Sequence, residues 1–107
     1  MRKPKGKAGE LLLALHDTPG RYAAVVDPKL LPGDHVKLGF RADPMAPCES
    51  EWMWVEVTAV EGVWPATAVY RGELANVPYS IDPGTLRLGQ PVEFGGEHIH
   101  TVVHNNR

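Results

Sequence analysis

Residues 51–58 read Glu51-Trp52-Met53-Trp54-Val55-Glu56-Val57-Thr58, and this stretch decides the fold. Met53, Val55 and Val57, continued by Ala59, occupy every second position. Successive side chains of a strand point to opposite faces, so this apolar row belongs to a core. The alternate row of Trp52, Trp54, Glu56 and Thr58 sets two indoles beside a carboxylate and a hydroxyl. That row belongs on a partly wet surface, because buried polar groups need partners. A patch of aromatic side chains there is a candidate for recognition.

Working outward, the neighbouring segments repeat the pattern. Pro32-Gly33-Asp34 is a turn feeding a strand in which Val36, Leu38 and Phe40 alternate with His35, Lys37, Gly39 and Arg41. Residues 42–50 carry two prolines and no periodicity, and read as a mobile loop. Glu61-Gly62 suits a tight hairpin turn. The return strand sets Ala66, Ala68, Tyr70, Gly72 and Leu74 on one face, with Thr67, Val69, Arg71 and Glu73 on the other. Gly89-Gln90-Pro91 precedes a short strand at Val92-Glu93-Phe94. Beyond Gly95-Gly96, the spacing of Ile99, Val102 and Val103 fits either a helical turn or further short strands.

The N-terminal part reads differently. Residues 1–7, with Arg2, Lys3, Lys5 and Lys7, are expected to form a disordered basic tail, and residues 8–107 a single β-rich domain. Leu11, Leu12 and Leu15 give a short apolar stripe, which predicts a helix over residues 8–17 that Pro19-Gly20 stops. Tyr22 to Val26 is β-prone. The apolar run Leu11–Leu15 is too short for a secretory signal and is flanked by Glu10 and His16-Asp17. No segment approaches the ~20 apolar residues of a spanning helix.

Composition bounds the rest. The chain has 107 residues with 11 glycines and 10 prolines, which favours many turns and short strands over long helices. A chain of this size buries roughly two thirds of its unfolded surface, enough for one modest core. The expected class is mainly β, bordering on α+β. It is a strongly curved antiparallel sheet forming a small barrel or half-barrel, with the short N-terminal helix covering an open end. Gly39 and Gly72, inside strands, are natural sites for the bends such a sheet needs. The net charge of −2 argues against bulk affinity for nucleic acid or anionic membranes. The single cysteine, Cys48, forms no intrachain disulfide, which fits a reducing, cytoplasmic setting.

Four blocks resemble a bacterial group of uncharacterised domains, the YegJ-like family. They are Pro32-Gly33-Asp34 with Val36-Lys37-Leu38 and Phe40; Met53-Trp54-Val55-Glu56-Val57; Gly72-Glu73-Leu74 with Asn76 and Pro78; and Gly89 with Val92-Glu93-Phe94 and His98-Ile99. Their order and spacing cover about residues 28–100. The resemblance implies a small bacterial domain of mixed β character and carries no reaction with it. The proline-rich 42–50 loop and the His-rich C-terminal segment depart from the family pattern.

The chemistry-bearing residues point to binding before catalysis. There is no nucleophile elbow, phosphate-binding loop or dinucleotide fingerprint, so no catalytic residue and no cofactor is assigned. Cys48, between Pro47 and Glu49, has no neighbouring cation to activate it. Glu56 and Glu73 are expected to face one another across two strands, with Arg71 near enough to form an ion pair. His98, His100 and His104 offer metal-ligand spacing, with Cys48, Glu93 and Glu97 as further donors, but spacing alone demands no metal and a solvated edge of titrating imidazoles is the favoured reading. Trp52, Trp54, Tyr79 and Arg71 are the expected partner-binding residues, bordering one groove. The leading expectation is a non-catalytic protein-binding module of an inhibitor, immunity or regulatory type, with a protein partner. The alternative is a weak single-stranded nucleic-acid-binding barrel, stacking bases on the tryptophans with Lys37, Arg41, Arg71 and Arg87 meeting phosphates. A metal-dependent enzyme is third.

Overall fold

The computed structural model describes residues 7–12, 29–62 and 69–105. Among the described residues five strands form one sheet: β1 (His35–Arg41), β2 (Ser50–Glu61), β3 (Val69–Leu74), β4 (Pro91–Phe94) and β5 (Ile99–Val103). Every pairing is antiparallel and the order is β4-β3-β2-β1-β5. The first four strands form a meander, and β5 returns to the free side of β1. A three-residue 3₁₀ turn, Gly96–His98, precedes β5, and Ile99, Val102 and Val103 lie on that strand, so of the two conformations their spacing allowed the structure takes the strand.

The alternating rows set the core. Val36, Leu38 and Phe40 from β1 meet Met53, Val55 and Val57 from β2, Tyr70 and Leu74 from β3, Phe94 from β4 and Ile99 from β5. Leu30, before β1, and Ile81 and Leu86, between β3 and β4, fold over this face, so loops supply the second layer. Val92 is only partly buried. On the other face Glu56 and Glu93 are exposed as their phase predicts, whereas Lys37 and Arg41 are half-buried.

Three expectations need revision. Among the described residues the sheet does not close into a barrel: β4 and β5 lie at opposite edges and are not hydrogen-bonded to each other. The N-terminal helix is not seen, and no α-helix occurs among the described residues. Residues 8–12 instead run along β1: Leu11 bridges Phe40, Leu12 N–H donates to Gly39 O, and Arg41 N–H donates to Glu10 O. Backbone pairing with an open strand edge outweighs a two-turn apolar stripe, because a helix that short is marginal in water. Residues 13–17 of that helix, the run from Tyr22 to Val26 and residues 1–6 of the basic tail lie outside the described residues. Third, the apolar row of β2 is broken at Thr58. Val57 pairs with Gly72 and Ala59 with Arg71, leaving Thr58 as an extra residue. This bulge carries Ala59 to the outer face and turns Val60 toward Tyr70. The Thr58 hydroxyl donates to the Arg71 carbonyl at the irregularity.

One buried carboxylate ties the ends of β1 and β5 together. Asp34 is 1% exposed. Its carboxylate accepts hydrogen bonds from Leu31 N–H and Asn105 N–H, both at 2.9 Å, and lies 3.1 Å from His104 Nδ1. Its own carbonyl accepts from Val57 N–H of β2. Removing the carboxylate strands two backbone donors, at about 1–3 kcal/mol each. Asp34→Ala is therefore expected to lower the unfolding free energy by about 3 kcal/mol and the melting temperature by more than about 10 °C. Calorimetry of the variant checks this; a melting temperature within about 2 °C of the parent contradicts the clamp.

Candidate functional site

The outer face of β1 and β2 is built around a missing side chain. Gly39 is the register partner of Trp52. A Cβ at Gly39 would lie 2.6 Å from Trp52 Cη2 and less than 3 Å from two further ring carbons. The indole therefore lies across β1 in the space a side chain would fill, and reaches the ring of His100 on β5 at 5.4 Å between centroids. His100 is placed there by a second bulge: Leu38 pairs with Ile99 and Lys37 with Thr101, leaving His100 as the extra residue. Its Nδ1 lies 2.7 Å from Thr101 Oγ1. Trp52 is thus held on one side and remains 37% exposed on the other.

Trp54 sits one repeat along, opposite Lys37. The Lys37 ammonium lies 5.2 Å from the centre of its ring, within range of the attraction between a cation and an aromatic face. The Trp54 backbone is fastened as well: its N–H donates to Asn76 Oδ1 at 2.6 Å, and its carbonyl accepts from Ala75 N–H. Of the two indoles, Trp52 presents the more open face.

The other two expected partner-binding residues are not brought to the tryptophans. Arg71 pairs opposite Ala59, about 20 Å along β2 from Trp52 at the usual strand rise. It forms ion pairs with Glu61 at 3.4 Å and Glu93 at 3.1 Å, not with Glu56 or Glu73. Those two carboxylates do stand opposite each other, as expected, on the same face as Arg71, whose guanidinium pairs instead with its register partner Glu93 on β4 and with Glu61. Tyr79 lies in the loop after β3, where Glu51, on the core-side phase of β2, accepts hydrogen bonds from Tyr79 N–H and Ser80 N–H. Its side chain lines a separate hollow with Met45 and Pro47.

The three histidines have three separate tasks. His98 Nδ1 accepts from Gly95 N–H and closes the 3₁₀ turn. His100 packs on Trp52, and His104 on Asp34. Among the described residues no three His, Cys, Asp or Glu side chains form a group able to hold a metal ion. Spacing had suggested a site because it ignores the turn and bulge that redirect the rings. Cys48 is exposed, with its thiol 3.1 Å from Ser80 Oγ.

Strand phase marks Trp52 and Trp54 but not Gly39 as the bed of Trp52, nor His100 as its neighbour. The available signal was an uncommon glycine in mid-strand, which marks a bend or a close approach. Comparison with known proteins finds no matching family model, no matching curated protein and no matching solved structure. Among the described residues no helix is long and apolar enough to cross a membrane.

The bed makes a coupling prediction. Gly39→Ala alone is expected to cost about 2 kcal/mol, because the new methyl displaces a ring and rearranges the face. In a Trp52→Ala background the same change is expected to be close to neutral, a coupling of about 1–2 kcal/mol. Denaturant unfolding of the four proteins in the cycle measures this. Additive losses would mean that the indole does not rest on Gly39.

Proposed function

We propose that this chain is a non-catalytic binding module that docks a protein partner on the outer face of β1 and β2. The observation that carries the reading is Trp52, an indole seated on Gly39 and flanked by His100 with one side still open. A large side chain already held in place loses little conformational freedom on binding, which is why tryptophans dominate interface energetics. Around it lie Trp54 under Lys37, with His100 and Thr101 half-buried beside them. A partner seated here would cover an aromatic centre with a polar rim, the usual anatomy of an interface. Tyr79 and Arg71 fall outside this face in the proposal.

The free thiol of Cys48 suits a reducing compartment, and we place the module in the cytoplasm on that ground. The likeness of the four blocks to the YegJ-like group supports membership there as a further part of the proposal. An inhibitor, immunity or regulatory role suits a domain of this size.

Single-stranded nucleic acid is the weaker reading. Trp52 would stack a base, but the cations that would follow a phosphate backbone are occupied or dispersed. Lys37 covers Trp54, Arg41 lies 3.7 Å from Glu10, and Arg71 stands between two glutamates. Glu56, Glu73 and Glu93 add negative charge to the same face.

The test is capture from native lysate with and without nuclease, using the parent and Trp52→Ala. Trp52→Ala is expected to retain its fold, losing about 1–2 kcal/mol of stability, since the ring is partly exposed. A protein retained after nuclease by the parent and lost by a folded Trp52→Ala supports the reading. Equal capture by both proteins, or loss of all capture on nuclease treatment, contradicts it.

A further inference from the structure

At the opposite end of the sheet from the bulge at Thr58, the loop after β1 meets the loop after β3 around a hollow of about 400 Å³. Met45, Pro47, Tyr79 and Ile81 make most of the wall apolar, and Asp43 and Asp82 line it as well. Met45 is 94% exposed and Tyr79 92% exposed, the two most open large apolar side chains among the described residues. Yet the walls are fastened. Asp43 N–H donates to Ser80 O, and Asp82 N–H donates to the Asp43 carboxylate at 2.9 Å. Asp82 in turn accepts from Gly84 N–H at 2.7 Å, and Glu51 holds the amides of Tyr79 and Ser80. Asp43 and Cys48 thus tie the loop after β1 to Ser80 and Asp82.

Three features define what fits. The volume suits one or two side chains, at the lower end of ligand-binding cavities. The apolar wall and the open Tyr79 and Met45 ask for an apolar occupant. The charge is of one sign: Asp43 and Asp82 line the hollow, and Glu51 stands behind it. Among the described residues none of these carboxylates has an ion pair, and no Lys or Arg lines the hollow. Each carboxylate is bonded to backbone amides, so each is positioned while its charge stays uncompensated. A cation beside the apolar group would meet that field, whereas an acidic one would be repelled.

We propose that this hollow is a second docking site, which receives a short segment of a partner protein carrying an apolar side chain flanked by arginine or lysine. It is independent of the tryptophan face: it lies on other elements and uses none of the same residues. Tyr79 and Met45 close over the apolar side chain, and Asp43 and Asp82 face the flanking cations.

The probe is a five-residue peptide, acetyl-Gly-Arg-Leu-Arg-Gly-amide, titrated into the ¹⁵N-labelled full chain, with the Glu-Leu-Glu counterpart as control. Saturable shifts confined to residues 43–47 and 79–83 are expected for the Arg peptide alone. Tyr79→Ala is expected to weaken binding at least about tenfold, since an exposed aromatic anchor is lost. Its fold should survive, because Glu51 holds the Tyr79 backbone and not its ring. Raising the salt from about 20 to 200 mM should weaken binding several-fold. Trp52→Ala should bind the peptide as the parent does, which separates this site from the tryptophan face. Four results would overturn the proposal: no saturable shifts at about 5 mM peptide, equal binding of the acidic peptide, shifts centred on Trp52, or self-association that perturbs the hollow without peptide.

Discussion

Gly39 has no side chain, and the indole of Trp52 occupies the space that one would fill. That single substitution of ring for side chain organises the outer face. It joins three strands, since Trp52 belongs to β2, its bed to β1 and its flanking imidazole to β5. A glycine in mid-strand weakens a strand through backbone entropy and the missing contact. Here an aromatic from the neighbouring strand restores the contact, as it does where aromatic residues cover sheet glycines. The same packing leaves the far side of the ring open, so one interaction accounts for both the order of this face and its availability.

The two bulges explain why the rest of the face is arranged as it is. A bulge adds one residue to one strand and reverses the phase of all that follows. At His100 the extra residue brings an imidazole toward the tryptophan. At Thr58 it carries Ala59 and Glu61 to the outer face, where Glu61 meets Arg71. The outer face is consequently divided, with aromatic and cationic groups over β1 and the first half of β2. Carboxylates lie over the second half of β2 and over β3 and β4. Opposed Glu56 and Glu73 work against strand pairing, so this half is arranged for something other than maximal stability.

Much of the sheet was legible because period-two alternation is enforced by burial. Val36, Leu38 and Phe40, and Met53, Val55 and Val57, have no other way to be removed from water together. What alternation does not encode is where the count slips. Nothing near Thr58 announces a bulge, since its cause includes a hydroxyl meeting the Arg71 carbonyl from another strand. Asp34 was read as a turn residue, and its turn role is real. Its burial depends on Asn105 and His104, some seventy positions away, and distant hydrogen bonds leave no local pattern. Tyr79 was visible in the sequence, but the hollow it shares with Met45 lies between two loops joined by hydrogen bonds of Glu51 and Asp43, which leave no local pattern. The N-terminal stripe misleads for a related reason: an open edge of β1 competes with a helix, and the sequence of residues 8–12 alone does not reveal that edge.

Trp52 is packed on Gly39 and against His100 while partly open to solvent, which should hold the ring rigid. The most direct measurement is the ¹⁵N heteronuclear NOE of its indole N–H in the unliganded, unmodified chain, which reports motion on the picosecond-to-nanosecond scale. A ring packed on Gly39 and flanked by His100 should give a value equal to those of the β1 and β2 backbone amides. A value well below them, as for a freely rotating exposed side chain, would contradict the account.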